Sequence, residues 1–231
     1  MKINAFLPCK KQSQRIKNKN KKIFANITFG LIKIKLSQLI RSKLINKIYL
    51  STDDQQIINF AKKLNNKKII IHVRRDKNLS KNNTATQKLI HHAIEIIPDG
   101  HILWTHVTSP FINEMIYDKV IKKYKSIIKS KHDSLMTVTK IQGFVWDNKS
   151  SINYNSKKIK WPRTQDLKML NKINSGIFLN SRLNYLRFDN RIGKNPYMYE
   201  ISKFIGLDID DYEDFKFAEF LFKNKKKYKL K

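Results

Sequence analysis

Between Leu7 and Lys22 the chain reads LPCKKQSQRIKNKNKK, which places Lys10, Lys11, Arg15, Lys17, Lys19, Lys21 and Lys22 in one short stretch. Cations at this density can neutralise a polyphosphate, and Arg15 can fork onto two oxygens at once. Far from it in sequence, five of the 18 acidic residues fall within seven positions: Asp208, Asp210, Asp211, Glu213 and Asp214. In Leu207-Asp208-Ile209-Asp210 an extended backbone turns the two carboxylates to the same side. Such a pair suits Mg²⁺, which takes one or two carboxylates plus substrate phosphates. Each group also has a plainer reading. The basic stretch can be a solvated loop in a lysine-rich chain, and Asp210 or Asp211 can simply cap a following helix. Capping accounts for Asp211, Glu213 and Asp214 but not for Asp208.

These residues need elements to hold them. Ile3–Leu7 reads as a buried strand that precedes the basic stretch, and the apolar spacing of Leu31–Leu44 predicts a helix after it. A basic loop at the carboxyl end of a first strand is where open α/β sheets bind phosphate. It is not a P-loop, because GxxxxGK(S/T) is absent and the first glycine is Gly30. Further strands are expected at Lys47–Leu50, Lys68–Val73, His101–Val107, Ser134–Lys140 and Ile173–Leu179. Helices are expected at Gln55–Leu64, Ala85–Ile97, from Asn113 or Glu114 to Ile128, and at Tyr212–Phe222, with Tyr197–Ile209 extended. Alternating strands and helices predict an α/β fold, a doubly wound, mostly parallel sheet. From Gln142 to Lys172 the rhythm breaks into short β-like pieces (Phe144–Trp146, Ile152–Tyr154, Lys158–Lys160). That stretch is read as a projecting β-hairpin excursion from a single domain spanning residues 1–231.

Composition narrows the class. The chain has 231 residues, 41% hydrophobic and 11% aromatic, enough for a real core. Cys9 is the only cysteine, which excludes an intrachain disulfide and cysteine-rich zinc sites. Apolar runs are too short to span a bilayer, and MKINAFLPCKK lacks the apolar core of a secretory signal, so a cytoplasmic location with no membrane partner is expected. The net charge of +30, from 48 Lys+Arg against 18 Asp+Glu, invites a nucleic-acid reading. The cations are mostly Lys, spread along the whole chain together with abundant Asn and Ile. This looks like a general compositional bias rather than one basic face interleaved with aromatics.

The motifs resemble those of the acylneuraminate cytidylyltransferase family. That family's first loop, I/L-P-A-R-x-G-S-K-R-I/L-x-x-K-N, aligns with Leu7–Asn20. Leu50-Ser51-Thr52-Asp53-Asp54 is similar to its V-S-T-D-D, and Arg75 four residues before Leu79 matches its R-P-x-x-L. Val107-Thr108-Ser109-Pro110-Phe111 is similar to Q-P-T-S-P-L. Pro162–Leu167 and Ile173–Phe178 match later blocks, and Gly206–Asp210 with Glu213-Asp214-Phe215 resembles I-D-I-D-x-x-x-D. Lys10 stands where the family usually has Arg, Gln12 replaces a glycine and Gln14 a lysine, a pattern similar to a divergent branch of the family.

The resemblance implies a nucleotidyltransferase that uses CTP and Mg²⁺ to activate an acidic sugar. It assigns catalysis to Lys10, Arg15, Lys19 and Asp210. It assigns nucleotide binding to Lys10, Ser13, Gln14, Arg15, Lys19, Asn20 and Arg75, and the metal to Asp208 and Asp210. His106, Thr108, Ser109, Arg163 and Gln165 would face the sugar, with Arg163 on its carboxylate. A homodimer formed through residues 142–172, with Trp146 and Trp161 at the interface, follows by analogy. The rival readings are an octulosonate as the sugar, another nucleotide sugar as the product, and a catalytically weakened relative that binds nucleic acid.

Overall fold

In a computed structural model of the chain, residues 1–73, 77–80, 84–225 and 227 are described. Seven strands form one sheet in the order β3-β2-β1-β4-β6-β5-β7. They are β1 (Ile3–Cys9), β2 (Lys47–Thr52), β3 (Ile69–Val73), β4 (His101–Thr105), β5 (Ser134–Ile141), β6 (Leu170–Ser181) and β7 (Pro196–Glu200). Every neighbouring pair is parallel except those of β6, which runs antiparallel to β4 and β5. Six helices cover the sheet: α1 (Gly30–Arg41), α2 (Gln55–Lys63), α3 (Thr86–Ile96), α4 (Glu114–Ile127), α5 (Arg182–Phe188) and α6 (Tyr212–Lys223).

The hydrophobic pattern fixes these layers. Ile3, Ala5, Leu7 and Cys9 turn to one face of β1 and join a core with α1, α4 and α6 residues such as Leu36, Val120 and Phe215. Phe6 turns to the other face, with Trp104 and Phe178 under α3 and α5. Strands buried on both faces are nearly continuous in apolar residues, as a parallel sheet demands. β1 lies between β2 and β4, so the strand order reverses beside it. That reversal opens a crevice at the carboxyl ends of β1 and β4, the usual ligand position in such sheets.

The expected elements are present, with four differences. β4 stops at Thr105, so His106–Ser109 form a turn at the crevice instead of continuing a strand. α5 was not anticipated. Its seven residues are too few for a helical period to register, and it starts from Ser181, whose side chain accepts from Asn184 N. Tyr197–Ile209 is strand only as far as Glu200, after which a turn closes with Gly206 N donating to Ser202 O at 2.9 Å. The excursion is the loop of a long β5–β6 hairpin, whose last pair is Ile141 with Leu170. Its expected inner strands at Ile152–Tyr154 and Lys158–Lys160 are absent among the described residues. A single antiparallel bridge joins Trp146 and Ser151, and a 3₁₀ turn covers Thr164–Asp166. The alternating apolar residues there have no sheet edge to pair with. Among the described residues, no helix is long and apolar enough to cross a membrane.

Candidate active site

The basic loop leaves β1 and is tied down along its length. Ile16 is buried in the main core, and Phe24 packs edge-on against Phe215 and Phe222 of α6 at 5.3 and 5.5 Å. Asn20 Nδ2 donates to Lys10 O at 2.9 Å and closes the loop on itself. Where the loop enters α1, Gly30 packs so tightly on Lys22 that a Cβ would collide with the Lys22 carbonyl. Two aspartates after β2 hold the outer side. Asp53 Oδ1 accepts from Lys11 N at 2.7 Å. Asp54 caps α2 and pairs with Lys21 Nζ at 2.6 Å. One of these aspartates was expected to cap the helix; their grip on the basic loop went unnoticed. The Ser51-Thr52-Asp53-Asp54 run directly after a strand was the available signal.

The loop and the acidic segment meet. Arg15 Nη2 donates to Asp210 Oδ1 at 2.9 Å, and Lys19 Nζ donates to Ile209 O at 2.7 Å, across about 190 residues of chain. The Arg15–Asp210 pair is more than half exposed on both sides, so it contributes little to stability and is readily exchanged for a ligand. Burial lowers the pKa of Lys19, while Asp210 and Asp208 oppose the shift. Asp208 is raised above the usual carboxylate range, first by burial and then by Asp210, against a hydrogen bond from Thr108. Asp208 Oδ1 is buried and has no hydrogen-bond partner, which leaves it open to a cation. Capping explains the other acids. Asp211 accepts from Asp214 N, and Asp214 accepts from Asp210 N and Asp211 N. No group of three His, Cys, Asp or Glu side chains that could hold a metal occurs among the described residues. Any hard cation here would depend on two carboxylates plus oxygens of its ligand.

The turn after β4 forms the floor. Ile209 N donates to Thr108 O at 2.9 Å, so the acidic segment lies along this turn. A cavity of about 200 Å³ opens between Lys10, Ser13, Gln14, Arg15, Lys19 and Asn20 on one side and His106 and Thr108 on the other. Trp104 Nε1 donates to His106 Nε2 at 2.9 Å, which puts the ring proton on Nδ1. Burial and the cations Arg191, Lys35 and Lys19 drive the His106 pKa down to about 3, so the imidazole is a neutral donor. Ser109 is fully buried and does not line this cavity; it serves the turn instead. Its carbonyl accepts from the buried Lys35 Nζ at 2.8 Å, together with Ile112 O at 3.3 Å and Tyr117 Oη at 2.8 Å. Lys35 was not expected in the site, although a lysine amid Ile32, Ile34, Leu36 and Leu39 is out of place in an apolar pattern.

Arg163 and Gln165 are not brought to this cavity. They sit on the excursion's 3₁₀ turn, where Arg163 forks onto Asp166 at 2.7 and 3.1 Å. Arg163 lines a separate hollow with Tyr154, Ile159 and Trp161. Arg75 lies outside the described residues.

The crevice at the reversal of strand order, the basic loop in it and the carboxylates opposite define a nucleotide-handling α/β protein. A family model described as cytidylyltransferase matches residues 5–229, and the chain belongs to that family. Two pseudaminic acid cytidylyltransferases from Campylobacter jejuni strains are 24% and 25% identical to it, each alignment covering 96% of this chain and 97% of the relative. Among solved structures, a CMP:2-keto-3-deoxy-manno-octonic acid synthetase complexed with CTP has a TM-score of 0.67 at 13% identity, covering 96% of this chain and 98% of that one. A 4-diphosphocytidyl-2C-methyl-D-erythritol synthase from Anaerococcus prevotii has a TM-score of 0.62 at 15% identity, covering 96% of each chain. These likenesses show the same fold.

Proposed function

We propose that this chain transfers CMP from CTP to the anomeric hydroxyl of an acidic sugar of the nonulosonate class, with Mg²⁺ as cofactor, releasing pyrophosphate. The observation that carries the reading is the meeting of Arg15 and Lys19 with the Asp210 segment beside a cavity lined by the basic loop. Membership of the cytidylyltransferase family supports CTP as the nucleotide. The pseudaminic acid cytidylyltransferases, alike over nearly their whole length, support a nonulosonate as the acceptor.

Each residue has a task that follows from its chemistry. Lys10, Arg15 and Lys19 offset triphosphate charge as the α-phosphorus is attacked, and Ser13, Gln14 and Asn20 hydrogen-bond the nucleotide. Arg75 is proposed as a further nucleotide contact. When CTP enters, Arg15 leaves Asp210 for the phosphates, which frees that carboxylate. Asp208 and Asp210 would then hold Mg²⁺, which neutralises phosphate charge and favours ionisation of the attacking hydroxyl. His106 and Thr108 face the sugar from the turn after β4, and Lys35 and the Ser109 carbonyl hold that turn in place.

The assembly follows from the excursion. Trp161 is 76% exposed, and Trp146, Ile152 and Ile159 are each more than half exposed on the same loop. Apolar surface of this kind is covered in a working protein. We infer a homodimer, made through residues 142–172, in which Arg163 and Gln165 reach the partner's sugar. The expected location is the cytoplasm, where CTP is made.

The decisive experiment measures pyrophosphate release with each nucleoside triphosphate against a panel of nonulosonic and octulosonic acids, with and without Mg²⁺. Release that requires CTP, Mg²⁺ and a nonulosonic acid is expected. No release across the panel, or release only with octulosonate, overturns the reading of the acceptor.

A further inference from the structure

On the face of the sheet opposite α1, Arg191 has no carboxylate partner among the described residues. Arg191 follows α5, and its guanidinium carbon lies 3.8 Å above the ring centre of Phe178 and 5.4 Å from that of Trp104. It is half-buried. Among the described residues, no carboxylate, carbonyl or hydroxyl lies within hydrogen-bond or ion-pair reach of it. Stacking on two rings satisfies the faces of the guanidinium but leaves its N–H edge unused. A ring-stacked arginine whose donor edge meets no protein acceptor suits an anion, because its preferred partner is a planar carboxylate taken by two parallel hydrogen bonds.

Its neighbours indicate which anion. The Trp104 ring beneath Arg191 also donates to His106, which lines the cavity of the basic loop. Arg191 thus stands behind Trp104, one side chain removed from the cavity wall at His106. Its loop is also held in advance of any ligand. Asp133 accepts from Lys194 N at 2.7 Å and from Asn195 N at 3.0 Å, and Gly193 N donates to Ser134 Oγ at 2.9 Å. A Cβ at Gly193 would run into the Asp133 carboxylate, which its hydrogen bonds from Lys194 N and Asn195 N hold in place. On the other flank, Asp189 is bound by His91 at 2.6 Å and by Gln87 at 2.6 Å, both from α3. Fixing a donor before binding removes the ordering cost that a free surface arginine would incur.

We propose that Arg191 receives the carboxylate of the acidic sugar, with the Nδ1–H of His106 as a second donor beside it. This rests on the reading of the acceptor as an acidic sugar, and it moves the carboxylate contact from Arg163, which is already engaged by Asp166. Arg191 is then a specificity residue. It selects for the acid and leaves the transfer at the α-phosphorus to the basic loop.

The test compares the wild type with Arg191→Met and Arg191→Lys on a nonulosonic acid and on its methyl ester. The wild type should prefer the acid. Arg191→Met should raise the sugar KM about 10- to 100-fold, leave the CTP KM within about twofold, and lose the preference for the acid. Arg191→Lys, which keeps the charge without the fork, should fall between the two and serves if the methionine variant does not fold. An unchanged sugar KM in Arg191→Met, or an equal loss on acid and ester, overturns the assignment and leaves the proposed function standing. If the wild type turns over no acidic sugar, the function reading fails, and the role of Arg191 fails with it.

Discussion

At the scale of single residues, the proposed function asks the same side chains to serve the resting site and the loaded one. Arg15 and Asp210 pair across an exposed gap, an interaction worth no more than about 1 kcal/mol. Asp210→Asn should therefore leave denaturant stability within about 1 kcal/mol while lowering kcat by about 100-fold or more, if Asp210 holds the metal as proposed. A large loss of stability in that variant would show that the pair is structural. Lys35 is the opposite case. Burial pulls its pKa from 10.5 down to about 7. The folded chain then releases that proton near neutrality, whereas the unfolded chain keeps it to about 10.5. Between those values the unfolded state binds more protons, so stability rises with pH. The Asp208 charge opposes the shift, and because a single proton is involved the slope is at most about 1.4 kcal/mol per pH unit. Urea unfolding of the wild type and Lys35→Met at about pH 7 and about pH 9 should show the wild type gaining on the variant as pH rises. A constant difference would mean that Lys35 stays charged throughout.

At the scale of elements, the basic loop takes its order from the last helix. Phe24 is fully buried against Phe215 and Phe222, and Ala25 N donates to Glu219 Oε1 at 2.9 Å. Phe24→Ala should cost about 3–5 kcal/mol of stability. It should also raise the CTP KM, because the loop loses its anchor near Arg15 and Lys19; calorimetric titration with CTP would measure this. Equal CTP affinity in the variant would mean that the loop is ordered without α6. The aspartates after β2 act in the same way from the other side. Asp54 serves two masters, the start of α2 and Lys21, and at 2% side-chain exposure it has no water to replace either partner.

At the scale of the whole molecule, the excursion carries a cluster of exposed apolar side chains, Trp146, Ile152, Ile159 and Trp161, while the basic residues are spread along the whole chain. If residues 142–172 form the dimer contact, Trp161→Asp should convert a two-chain species to one chain in sedimentation velocity, with the far-ultraviolet circular dichroism unchanged. A wild type that already sediments as one chain would refute the dimer.

What the amino-acid order determined by itself was local. The strand–helix alternation, the cap at Asp54 or Asp53, the helix start at Asn113 or Glu114 and the separation of Asp208 from the capping acids could all be read from it. Periodicity and capping depend on neighbours within a few residues, so short windows contain them. The meeting of Arg15 with Asp210, the burial that suppresses His106, the anchoring of Lys35 on the turn after β4 and the absence of Arg163 from the cavity were decided only by the tertiary structure. Each depends on which strand lies beside β1 and on which side chains lose contact with water there. The antiparallel insertion of β6 and the stacking of Arg191 on Trp104 and Phe178 belong to the same group. Distances across a sheet are set by the closure of the whole chain, and no spacing along the sequence encodes them.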